Sequence, residues 1–235
     1  MPLACTAVVA LTVLSSATPA APQARQVFSD EAVGHLVRAA LLQYFDAASV
    51  FEIQPLGSAI AGDVLSIETL LITGKPAVHR GFRGEVLAHF TGLQMEMSAL
   101  AVQQVKTVRL ARATVVAKST AKAVEEGLAR VSPTILRPTV RFAGGQIEIA
   151  ATIRRGDKLY PAEARAALVV EGKQRIVVAV TYALVHGASM PQGLIEGELA
   201  KINPVLDLSK WPFNLQIQRL VLHNDAIEVL ATSGR

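Results

Sequence analysis

The sequence predicts an α+β fold built on a mostly antiparallel sheet. Three observations carry that prediction. Stretches of polar/apolar alternation follow one another with few helical segments between them. Turn residues separate these stretches at short intervals. Two segments of helical period, starting at Ser29 and Ser119, each precede a run of strands.

The elements follow in order. Ser29, Asp30 and Glu31 supply an N-cap and first-turn acids, and Val33, Leu36, Val37, Ala40, Leu41, Tyr44 and Phe45 recur at helical spacing. Phe51 and Ile53 alternate with Glu52 and Gln54 until Pro55 and Gly57 break the run. Leu65, Ile67, Thr69 and Leu71 form the next strand, which ends at Thr73-Gly74-Lys75-Pro76. Val86, Ala88, Phe90, Leu93, Met95 and Met97 give another, and a less regular run extends from Leu100 to Val116. A second helix spans Ser119 to Val131, with Val124 and Leu128 inward and Pro133 ending it. The clearest hairpin follows. Val140 and Phe142 mirror Ile147 and Ile149 across Gly144-Gly145, while Arg141 and Glu148 point the other way. Strands near Ala164 to Val170 and Arg175 to Leu184 are joined by Glu171-Gly172-Lys173-Gln174. A short helix spans Pro191 to Lys201, and a last pair runs from Phe213 to Leu222 and from Ala226 to Ala231.

Nothing reads as a linker, so residues 25–235 are expected to form a single domain, with a diverged helix-then-strands repeat over 28–117 and 118–235. Residues 1–24 read as a secretory signal: Leu3 to Leu14 form an apolar stretch and small residues such as Ser15, Ser16 and Ala17 follow it. That stretch has no Lys or Arg ahead of it. The single cysteine, Cys5, lies inside it and makes neither an internal disulfide nor a cysteine metal site.

Hydrophobic residues make up 51% of the chain and charged residues 18%, with a mean hydropathy of +0.38. Aromatics are only 5%, so Ala, Val, Leu and Ile carry the apolar load. Such a chain either buries an unusual share of its side chains or keeps apolar surface for a partner. The net charge of +4 gives a weak preference for anionic partners. No nucleic-acid-binding motif accompanies it, and none is expected as a partner.

No catalytic constellation is legible. His35, His79, His89, His186 and His223 lack a second ligand at metal-binding spacing, there is no HExxH, and no serine sits in a GxSxG elbow. His79 and His89 flank Glu85, a pattern more often found in surface pairs than in active sites. Gly144-Gly145 joins two alternating strands and opens no helix, so it is not a phosphate loop. The expectation is a non-enzyme with no metal or other cofactor.

Basic residues concentrate between Lys106 and Arg141, among them Lys106, Arg109, Arg112, Lys118 and Lys122. These five are the candidate contacts for an anionic headgroup or a membrane surface; the plain alternative is a solvated face. Near the end, NPVLDLSKWPFNLQI brackets Trp211 between Pro204 and Pro212, and alternation starts after the second proline. Trp211 suits the mouth of a groove or the plug of a core.

The tail from Ile202 to Ala231 resembles the closing segment of the LmeA-like phospholipid-binding family of exported bacterial proteins. Asn203, Pro204, Asp207, Leu208, Pro212 and Phe213 carry the match, and Ile227 and Val229 fit its last strand. Trp211 stands where that pattern has an aliphatic residue. The resemblance implies a fold similar to tubular lipid-binding domains: a curved antiparallel sheet wrapped around one long helix plus shorter helices, enclosing an apolar groove. It also implies a phospholipid or other anionic lipid as partner, location in the periplasm or cell envelope, and no catalytic residues. The expected groove lining is Leu36, Leu41, Phe142, Ile147, Ile149, Trp211, Phe213, Leu215 and Ile217. Three classes of function remain in play: a lipid-handling protein, an envelope structural module with a filled core, and a lipid or glycan hydrolase without a recognisable motif.

Overall fold

The computed structural model describes residues 29–234, apart from the side chains at 194, 198 and 201. The signal segment 1–24 and Cys5 lie outside the described residues. Helix α1 (Asp30–Leu41) begins where expected, with the Ser29 hydroxyl accepting from the Ala32 N–H at 3.3 Å. Strands β1 (Phe51–Ala61), β2 (Val64–His79) and β3 (Phe82–Glu96) follow, then the short helix α2 (Met97–Ala101), β4 (Thr107–Thr120) and helix α3 (Ala121–Val131). The chain continues through β5 (Ile135–Ala143), β6 (Gln146–Arg155), β7 (Lys158–Glu171), β8 (Arg175–Val185) and β9 (Ala188–Ser189). It ends with helix α4 (Gln192–Ile202), β10 (Leu206–Asp207), a 3-10 turn over Leu208–Lys210, β11 (Leu215–Leu222) and β12 (Ala226–Ser233).

Two sheets result, and every pairing in them is antiparallel. The first has the order β1-β2-β3-β4-β12-β11. The second has the order β10-β8-β7-β6-β5, with β9 also on β8. The last two strands therefore return to the first sheet, while the second sheet draws only on residues beyond 118.

The first sheet is creased. Along β1 the buried positions are Phe51 and Pro55, then Ser58 and Ile60; along β2 they are Leu65 and Ile67, then Leu70 and Ile72. Along β3 they are Ala88 and Phe90, then Leu93 and Met95. Each strand skips one position, and the skips line up across the register at Gly57, Glu68, Gly92 and Ala111. Gly57 (φ +69°) and Gly92 (φ +60°) take the left-handed backbone that this reversal needs. Their neighbours also fill the space where a side chain would go: a Cβ on Gly57 would meet Glu68 at 2.8 Å, and one on Gly92 would meet Ala111 at 2.9 Å. The sheet bends along this row so that both halves of each strand face one interior.

That interior holds the larger core. Val33, Val37 and Leu41 of α1 pack with Leu65, Leu70, Phe90, Leu93 and Leu215, each buried. Burying a side chain of this size contributes about 1.5–3 kcal/mol. Aromatic contacts close one end: Trp211 lies 5.5 Å from Phe45 and 6.3 Å from Tyr44, and Phe213 lies 4.6 Å from Phe90. A smaller cluster of Leu128, Val140, Phe142 and Ile147 sits where α3 meets the second sheet.

Several expectations are corrected in detail. No described helix exceeds the 12 residues of α1, so four short helices stand where one long helix was expected. β1 runs on through Pro55 and Gly57, because the proline is tolerated on an edge strand and the glycine makes the crease. β2 continues past Pro76 through a bulge between Gly74 and Ala77. The run expected from Leu100 is helical as far as Ala101, and β4 starts only at Thr107.

Candidate functional site

The second sheet has one polar and one apolar face. On the polar face Arg141, Glu148, Arg165 and Tyr182 stand directly opposite one another across β5, β6, β7 and β8. Arg165 Nε lies 3.3 Å from Glu148 Oε1, and its guanidinium lies 5.9 Å from the centre of the Tyr182 ring. A shallow depression of about 420 Å³ lies over this row. Its acids and bases alternate along the sheet, which is how an exposed antiparallel face ordinarily satisfies its charges.

The opposite face is apolar and incompletely covered. Val140, Phe142, Ile147, Ala166 and Ile176 are buried. Ile149, Ala151, Ile153, Ala162, Ala164, Leu168, Val178, Val180, Ala183 and Val185 share that face by register, and all stop at half-burial. On the central strand β7 three successive inward positions are alanine, Ala162, Ala164 and Ala166. On either side stand Ile147 and Ile149 of β6, and Val180 and Val185 of β8. Alanine also stands opposite Ala162, at Ala151, and opposite Ala164, at Ala183, so this stretch of the half-buried face is made of small side chains. Alternation alone brings this about, since the intervening Glu163 and Arg165 point to the polar face.

Two contacts fix this sheet to the first. The Ile217 N–H donates to the Lys173 carbonyl at 2.6 Å, and Gln174 Nε2 donates to the Leu215 carbonyl at 3.1 Å. Leu168 and Ile227 pack against both apolar clusters. Helix α4 leaves and rejoins the edge of β8: the Met190 N–H donates to the Ala183 carbonyl, and Asn203 exchanges two hydrogen bonds with the Val178 backbone at 2.8 and 2.9 Å. None of its described side chains is buried. Where α4 ends, Ile202 and Val205 meet Arg80, Phe82 and Val131 around a gap of about 100 Å³. Arg80 reaches across to donate to the Pro204 carbonyl at 2.6 Å.

The residues expected to line a groove are divided among these places. Leu41, Phe213, Leu215 and Ile217 are buried in the larger core, and Phe142 and Ile147 in the smaller one. Leu36 and Trp211 are half-buried, and Ile149 lies on the incompletely covered face. The proline-bracketed corner thus closes the core with Trp211 and Phe213. The alanine positions of β7 were not among the expected residues; the signal for them was the run Ala162, Ala164, Ala166 at every second place.

The basic sector is divided as well. Lys106 pairs with Glu96 at 2.7 Å. Arg109, Arg112 and Lys118 project from the face of the first sheet away from its core, and Lys118 stands opposite both Glu85 and Glu228. Lys122 is exposed on α3. These five side chains do not gather around the incompletely covered face of the second sheet.

Shifted acidities have structural causes. Hydrogen bonds from the Ser98 hydroxyl and backbone hold the Asp63 carboxyl below its ordinary range. The hydrogen bond and charge of Lys75 do the same for Glu85, so that Glu85 serves an ion pair (2.8 Å). The Ser209 hydroxyl lowers Asp207, and burial raises Tyr44. All three carboxyls move away from the neutral range where a general acid or base works best. His79 Nδ1 lies 3.0 Å from the Tyr44 carbonyl. Among the described residues no three His, Cys, Asp or Glu side chains converge.

Comparison with family models, with curated proteins and with solved structures finds no match to this chain.

Proposed function

We propose that this chain is a non-enzymatic lipid-binding or lipid-handling protein, exported to the bacterial cell envelope, and that its ligand is a phospholipid or other anionic lipid. The observation that carries the reading is the apolar face of the second sheet: ten aliphatic positions from Ile149 to Val185 stay half-buried with no charged residue among them. An acyl chain laid along the alanine stretch of β7 needs no special side chain there, since each buried CH₂ contributes about 0.8 kcal/mol. The high mean hydropathy and the resemblance of the tail to the LmeA-like family support the same reading. The gap beside α4, about 100 Å³, is smaller than the roughly 300–1,000 Å³ of ordinary small-molecule pockets and does not hold an acyl chain. Arg80, at that gap, and Arg130, which donates to the neighbouring Gly81 carbonyl and pairs with Glu126 at 3.3 Å, are the cations we assign to the headgroup.

The test is native mass spectrometry and lipid extraction of the purified chain, alongside an Ala164→Phe variant that places a bulky ring on the alanine stretch of β7. The expected result is a co-purifying lipid on the parent and a several-fold lower occupancy on a variant that still folds. A parent that carries no lipid and takes none from anionic vesicles would overturn the proposal. Six of the nine expected lining residues are closed inside cores, which favours the alternative of an envelope structural module with a filled interior. Lipid-free protein would leave that alternative standing.

A further inference from the structure

The outer edges of the two sheets are engaged at one or a few points each. On β1 the Ser58 N–H donates to Asp30 Oδ1 at 3.3 Å, and Arg38 donates to the Phe51 carbonyl. On β5 the Val140 N–H donates to Glu125 Oε1 at 2.8 Å. On β8 the edge is taken by Asn203, β9 and β10, and β11 begins against Lys173 and Gln174. β4 is different. β12 pairs with it only from Thr114 to Thr120, and the Ser233 hydroxyl accepts from the Ala113 N–H at 3.0 Å. From Thr107 to Arg112 the strand pairs with β3 alone, and among the described residues no hydrogen bond beyond that ladder reaches Val108 to Arg112. Val108 is 51% exposed, and the core-facing Leu110 is half-buried at the margin of the larger core.

We propose that this open half of β4 is a docking edge for an extended acidic peptide segment, which adds a seventh strand to the first sheet. Unpaired strand backbone supplies the affinity, and side chains at alternate places supply the selectivity. Arg109 and Arg112 supply the charge complementarity. Both point to the outer face, because the crease at Ala111 brings side chains three residues apart to the same side, and neither has an ion-pair partner among the described residues. The same two charges disfavour a second copy of β4, which would set arginine against arginine.

The crease also constrains the incoming sequence. Its row reads Gly57, Glu68, Gly92, Ala111, with a left-handed glycine on every second strand. The next strand in the row would carry a glycine opposite Ala111. In an antiparallel strand an acid then precedes that glycine, opposite Arg112. An apolar residue follows it, opposite Leu110, and a second acid comes next, opposite Arg109. The ligand class is therefore an extended segment reading acid-glycine-apolar-acid.

The proposal is independent of lipid binding and is tested with a synthetic peptide, Glu-Gly-Leu-Glu-Val-Thr, blocked at both ends, whose length matches the stretch from Arg112 back to Thr107 that β12 leaves free. Binding is followed by titration calorimetry, and backbone amide exchange is mapped with and without peptide. Saturable binding is expected, with slowed exchange confined to the stretch from Val108 to Arg112 and its flanks. The charge reversal R109E/R112E, whose fold is checked by an unchanged melting curve, should weaken binding about tenfold or more, since each attractive cross-strand pair becomes a repulsive one. A scrambled peptide of the same composition should lose most of the affinity. Equal binding of the scrambled peptide, equal binding by R109E/R112E, or protection elsewhere would overturn the proposal. So would a dimer that protects the same amides without peptide, or anionic vesicles protecting them while the peptide does not.

Discussion

Replacing Gly92 with alanine tests the crease directly. The residue has φ +60°, and an added Cβ would lie 2.9 Å from that of Ala111. Holding an L-residue in left-handed backbone costs about 1–2 kcal/mol. Relieving the close contact by shifting packed strands adds about 1 kcal/mol or more. The reduced freedom of the unfolded chain offsets about 0.4–1 kcal/mol. The net loss is about 2 kcal/mol, or a fall in Tm of about 4–8 °C for a domain of this size. Gly144 is the control: it has φ +57° with nothing within 4 Å, so Gly144→Ala isolates the backbone part, about 1 kcal/mol or less. The contact part is read from a double-mutant cycle with Ala111→Gly, in which a coupling of about 1 kcal/mol is expected. Urea unfolding followed by circular dichroism measures all five proteins: the parent, the three single variants and the Gly92→Ala/Ala111→Gly pair. If Gly92→Ala costs no more than Gly144→Ala, or the coupling is zero, the two strands are not pressed together at this row and the explanation of the bend fails.

Phe213→Ala should cost about 3–5 kcal/mol in the same assay, because the ring is buried against Phe90. Asn203→Ala removes two hydrogen bonds to the β8 edge and should cost about 1–3 kcal/mol, with faster amide exchange at Val178. Stability should also depend on acid. Asp63, Glu85 and Asp207 all have folded acidities below their ordinary values. Their contribution is therefore complete above the unfolded carboxylate range and is lost as pH falls through the folded values. Unfolding free energy should hold steady from neutrality to about pH 5 and decline below it. Asp63→Asn should shrink that decline, and an unchanged pH profile would remove Asp63 from the account.

The strands were largely legible because alternation is set locally: Val140, Phe142, Ile147 and Ile149 pair as their spacing implies. The cap at Ser29 was equally local. Gly57 was read as a break because its role depends on Glu68 lying across from it, which a single strand cannot reveal. Met97 to Ala101 is too short to show a helical period. The destination of the last hairpin was hidden for a different reason. An antiparallel pair with one apolar face suits either sheet, and only tertiary packing selects β4 as the partner of β12. For the site, the apolar periodicity identified residues that face inward but could not say which of them would be fully covered. Leu215 and Ile149 look alike in sequence, yet one is enclosed and the other half-open.

The return of β12 to β4 has a kinetic consequence. Thr120 pairs with Ala226 and Thr114 with Thr232, so these partners are more than one hundred residues apart along the chain. β1 to β4 can assemble as a meander of near neighbours, but β11 and β12 must close a loop containing the entire second sheet before they dock. Such late, non-local closure slows folding and prolongs the exposure of unpaired strand backbone. A partly folded species with the meander formed, and with β4 open along its whole length from Thr107 to Thr120, is the state in which this chain is most exposed to aggregation.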